Sequence, residues 1–81
     1  MTTDTDALQK RLLVAHENEN AHDLIDLYTL VADQNEAAGN IDAACFYLTH
    51  AFVYALQEGA PEANALNERL FLYGRDVRLA F

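Results

Sequence analysis

Residues 41–58, Ile41-Asp-Ala-Ala-Cys-Phe-Tyr-Leu-Thr-His-Ala-Phe-Val-Tyr-Ala-Leu-Gln-Glu58, decide how this chain folds. At about 100° per residue, Ile41, Ala44, Cys45, Tyr47, Leu48, Ala51, Phe52, Tyr54, Ala55 and Leu56 span an arc of roughly 200°, about twice the stripe of an ordinary surface helix. A helix so apolar needs neighbours on two or three sides. One narrow stripe, Asp42, Thr49, His50 and Gln57, is expected to meet solvent, and Phe46 and Val53 interrupt it.

Working outward, Gly39 precedes this helix and Gly59 follows it, each suited to the left-handed residue that closes a helix. Upstream, Asn20 is a good cap for a helix over 21–38, with Asp23 in the first turn, where the helix dipole favours an acid. Its apolar face is Leu24, Leu27, Tyr28, Val31 and Ala38, broadened by Ile25 and Leu30. Gly39-Asn40 leaves so short a link, with Asn40 as the next cap, that helices 21–38 and 41–58 must form an antiparallel hairpin. A first helix is predicted over 5–17 with the stripe Leu8, Leu12 and Ala15, widened by Leu13 and Val14, and capped from among Thr3, Asp4, Thr5 and Asp6. Residues 1–4 are expected to fray. Ala60-Pro61-Glu62 opens a fourth helix over 62–80 along Ala63, Leu66, Leu70, Tyr73, Val77 and Phe81. Gly74 interrupts it at a cost of about 1 kcal/mol, so this helix either stops near Tyr73 or bends and continues.

The totals fit one all-α domain over 1–81. A chain of 81 residues buries only about 60–65% of the surface of its unfolded form, so each large apolar side chain matters. A net charge of −8, with five Lys and Arg in all, argues against nucleic acid, which is bound through clustered cations, and against anionic membranes. The charge is uneven: ten acids face only Lys10 and Arg11 over residues 1–60, whereas Glu62, Glu68 and Asp76 balance Arg69, Arg75 and Arg78 beyond. The acidic opening and the lack of about 18 consecutive apolar residues predict neither a secretory signal nor a membrane span, leaving the cytoplasm as the default.

The hairpin resembles a tetratricopeptide repeat. Tyr28, Val31, Ala32, Gly39, Ile41, Ala44, Leu48 and Ala51 stand at that family's spacing over about one repeat, residues 25–57. The pattern is broken at Asn35, where a bulky aromatic is usual, and by the length of the third helix. The resemblance implies that the flanking helices stand in for halves of adjacent repeats. Independently of the family, the small Ala44 and Ala51 let two helix axes approach closely, with Tyr28 filling the space between, as a generic bundle would also do.

On the second helix, His22, Asp26, Thr29, Asp33 and Glu36 form a polar ridge. The family resemblance implies that this face lines a groove holding peptide ligands, here a basic or amine-bearing segment. The plainer reading is a solvated helix face. Phe46, Val53, Phe71 and Leu72 project away from the expected intrachain contacts, which raises the alternative of a self-assembling, homodimeric module. His16, Glu17, Glu19, His22, Asp23 and Asp26 do not have the spacing of a metal site, and no cofactor is expected. The chain has no Ser, its three Gly are isolated, and the single Cys45 lies on the apolar arc. His50 is expected at the surface. An enzyme is therefore not expected, and a small acidic protein-interaction module is.

Overall fold

The computed structural model describes residues 3–75, with side chains from residue 7, as four helices: α1 (Thr3–Glu17), α2 (Ala21–Ala37), α3 (Ile41–Glu58) and α4 (Glu62–Leu72). Consecutive helices pack on one another, most extensively α2 on α3. The result is an all-α array, a slab of about 39 × 31 × 14 Å.

The helices stop where the backbone can turn left-handed. Asn40, Ala60 and Arg75 each donate their N–H to a carbonyl five residues back, on Asn35, Ala55 and Leu70, with Gly39, Gly59 and Gly74 at positive φ just before them. These are Schellman closures. The same bond, Asn20 N–H to Ala15 O at 2.9 Å, ends α1, but there Glu19 takes the left-handed position at φ 51°. At Gly74 (φ 73°) this closure ends α4 at Leu72, so the stripe does not run on as one helix to residue 80. Val77, Leu79 and Phe81 lie outside the described residues.

At the other end, α1 begins at Thr3, two residues before the start expected at residue 5. Asn20 caps α2 as its chemistry predicts, its Oδ1 accepting from Asp23 N–H at 3.1 Å. Asn40 holds the same position before α3, yet its side chain makes no capping hydrogen bond.

The core sits on both sides of the α2–α3 hairpin. One cluster joins Ile25 and Ala32 to Cys45, Leu48, Ala51, Phe52 and Ala55 of α3 and to Ala63, Leu66 and Leu70 of α4. A smaller one joins Leu8 and Ala15 of α1 to Leu24 and Leu27. Ala32, Ala44, Leu48 and Ala51 are wholly buried. Leu13 and Val14, expected to widen the buried stripe of α1, are instead 60% and 52% exposed, because α1 turns Leu8 and Ala15 onto α2 and reaches α3 only through side chains such as His16 against Tyr54. No polar or charged side chain is buried among the described residues. None of the described helices is long and apolar enough to cross a membrane.

Candidate functional site

The polar ridge of α2 divides into two halves with different surroundings. His22 and Asp26, in the N-terminal half, are exposed. Thr29 is half-buried, and its hydroxyl donates to Ile25 O at 2.7 Å, back onto its own helix. In the C-terminal half, Arg69 of α4 reaches across to donate to Asp33 Oδ1 at 2.7 Å and Glu36 Oε1 at 3.2 Å. The Tyr73 hydroxyl donates to the other oxygen of Glu36, and this bond to a carboxylate raises the Tyr73 phenol above its ordinary value of 10.0. Asp33 and Glu36 thus lie in a strap joining α2 to α4, although both keep substantial access to water.

Between the two helices that this strap ties runs a groove of about 430 Å³. Its α2 wall is Ile25, Asp26, Thr29, Leu30 and Asp33, and its α4 wall is Glu62, Ala65, Leu66 and Arg69. Carboxylates stand on both sides over an aliphatic floor, and Arg69, at one end, is the cation already engaged by Asp33 and Glu36. The α4 wall was not anticipated from the sequence. Its signal is the spacing of Glu62, Ala65, Leu66 and Arg69 at i, i+3, i+4 and i+7, a helix face that gains meaning once α4 lies beside α2.

On the other flank of α2, Tyr28 is held in an aromatic nest. Its ring stacks on Tyr54 (centroids 5.9 Å apart, 10° between planes) and on Tyr47 (6.1 Å, 23°), with His50 tilted against it at 5.2 Å. The Tyr28 hydroxyl hydrogen-bonds His16 Nε2 of α1 at 3.0 Å, so one side chain ties three helices. Burial raises the Tyr28 phenol above 10.0, and the neighbouring Tyr54 and Tyr47 add to the shift. His50 and Thr49, expected to meet solvent, are half-buried: the Thr49 hydroxyl donates to Cys45 O, and His50 Nδ1 lies 2.9 Å from Phe46 O. A carbonyl can only accept, so Nδ1 is the nitrogen that carries the proton.

The candidate oligomer contacts are exposed: Phe46 57%, Val53 42%, Phe71 53% and Leu72 77%. Phe46 and Val53 share the outer face of α3, with the Phe46 ring lying against Tyr47 and His50. Phe71 and Leu72 stand at the end of α4. Cys45 is buried in the core. No cluster of His, Cys, Asp and Glu among the described residues is placed to hold a metal ion, and His16 is engaged with Tyr28 instead. Compared with known proteins, the chain matches no protein-family model, no curated protein and no solved structure.

Proposed function

We propose that this chain is a small, non-enzymatic protein-interaction module, packed in the manner of a tetratricopeptide hairpin, that takes a basic amphipathic segment of another protein into the groove between α2 and α4. The observation that carries this reading is the lining of that groove, with Asp26, Asp33 and Glu62 beside the buried Ile25 and Leu66 and the exposed Leu30. A helix or extended segment bearing Lys or Arg beside aliphatic residues would match both parts: the aliphatic side chains bury area, and the cations speed encounter and fix register. The resemblance to tetratricopeptide repeats supports the same face, since it implies that the ridge His22, Asp26, Thr29, Asp33 and Glu36 lines a peptide groove.

A synthetic amphipathic peptide of Lys and Leu, with a Glu and Leu peptide of the same pattern as control, tests the proposal by calorimetry. Asp26 and Glu62 make no ion pair with Arg69, so Asp26→Lys and Glu62→Lys should leave the fold in place. Binding of the basic peptide alone, weakened by salt and by either substitution, is expected. Equal binding of both peptides, or affinity unmoved by the substitutions, would overturn the reading.

A second reading is favoured by the exposed Phe46, Val53, Phe71 and Leu72. Under it, the chain self-associates through apolar contacts, and the dimer survives high salt where peptide capture weakens. Light scattering coupled to size exclusion at low and high salt separates the two.

A further inference from the structure

A cleft of about 520 Å³ opens on the opposite flank of α2 from the acidic groove, where α1 and the first half of α3 meet it. None of its ten lining residues is charged, whereas the α2–α4 groove carries Asp26, Asp33, Glu62 and Arg69 and a third depression carries Lys10, Arg11 and Asp23. In a chain of 18 charged residues among 81 this neutrality is a property of the site. Leu8, Leu12, Val31 and Tyr47 supply an apolar lining, and four carboxamides, Gln9, Gln34, Asn35 and Asn40, complete it.

Two of these amides differ in how they are held. Asn35 donates Nδ2–H to Val31 O at 2.8 Å, which fixes the orientation of its amide on the cleft wall. Asn40 stands at the N-cap of α3 but makes no capping bond, forgoing a contact that an Asn there ordinarily gives, while its residue lines the cleft. A carboxamide both donates and accepts, so the set can meet amide or hydroxyl groups but offers nothing to neutralise an ion leaving water. The volume falls within the range of about 300–1,000 Å³ typical of small-molecule sites, and the space between packed helices is a common place for them.

We propose that this cleft binds a neutral small molecule with an apolar ring or short chain and an amide- or hydroxyl-bearing edge. The site is independent of the acidic groove, and its failure would leave the reading of that groove untouched.

The test is heteronuclear NMR of the full chain titrated in parallel with benzamide, benzoate and benzamidinium, which share a ring and differ in charge. Benzamide should move the side-chain amide signals of Gln9, Gln34, Asn35 and Asn40 saturably, with half-saturation at about 10 mM or lower for so small a probe. Benzoate and benzamidinium should bind there at least about tenfold more weakly. Ala43→Leu, which fills the cleft from α3, should abolish the shifts, and the exposed Gln34→Glu should weaken them by a similar factor without relying on the core tolerating a larger side chain. Equal response to the three probes, shifts that avoid these four amides, or full binding by Gln34→Glu would overturn the proposal. Shifts of the same signals on raising protein concentration alone would also overturn it, by assigning the cleft to a second copy of the chain.

Discussion

Arg69 is both a strap between α2 and α4 and the cation in an otherwise acidic groove, so Arg69→Gln separates stability from recognition. The substitution removes two charge-assisted contacts, to Asp33 and Glu36, whose side chains remain 50% and 38% exposed. Solvent screening limits their combined loss to about 1 kcal/mol. For a domain of this size, that lowers the melting temperature by about 4–8 °C. Binding moves the other way. A lysine of the incoming peptide at about 7 Å from the former guanidinium is relieved of about 0.6 kcal/mol of repulsion in a water-like dielectric. Two such lysines amount to about 1.2 kcal/mol, or roughly eightfold tighter binding. Circular dichroism against temperature gives the first quantity, and calorimetry with the basic peptide at low salt gives the second. A variant that melts lower yet binds the peptide no better would refute the electrostatic reading of the groove, and one that melts unchanged would refute the strap.

Glu19→Gly should stabilise the protein by about 0.5–1 kcal/mol, measured by urea denaturation, because Glu19 holds a left-handed conformation that glycine takes without steric cost. Tyr28→Phe keeps the ring stack but removes the hydroxyl bonded to His16, and a loss of about 0.5–1.5 kcal/mol is expected in the same assay. Stability should also decline at alkaline pH: the phenols of Tyr28 and Tyr73 hold their protons more tightly in the folded chain, so their contribution is whole below pH 10.0 and is lost as pH rises through their raised values. Tyr28→Phe with Tyr73→Phe should flatten that decline. Leu48→Ala should cost about 2–5 kcal/mol, since its side chain is wholly buried in the cluster joining α2, α3 and α4. Phe46→Ser should cost the monomer only about 0.5–1.5 kcal/mol, through the ring's contacts with Tyr47 and His50, while abolishing any dimer built on that face, as light scattering would record.

The helix borders were readable because local chemistry sets them. Asn20, Gly39 and Gly59 act within a few residues of where they stand, and the burial of α3 follows from its composition. Gly74 was legible as an interruption, and its left-handed closure ends α4 at Leu72. Errors gathered where an outcome depends on which helices become neighbours. Leu13 and Val14 look like core residues until α1 proves to bury its Leu8 and Ala15 side against α2. His50 looks like a solvent-facing residue until Tyr28 lies across that side of α3. The ridge on α2 was visible as a pattern, whereas its capture by Arg69 and the opposite wall of the groove were not, since α2 and α4 are separated by a whole helix in the chain. Glu19 at positive φ carried no sequence signal, because nothing in its identity favours that conformation.

The nest around Tyr28 also furnishes the molecule with an optical gauge of its own integrity. The chain has no tryptophan and four tyrosines, three of which stand ring against ring while the fourth touches a carboxylate. Excitation absorbed by one stacked phenol can migrate to its neighbours and be dissipated, so emission should be dim and depolarised while α2 and α3 stay joined. It should brighten when they part, allowing the opening of that joint to be followed without any label.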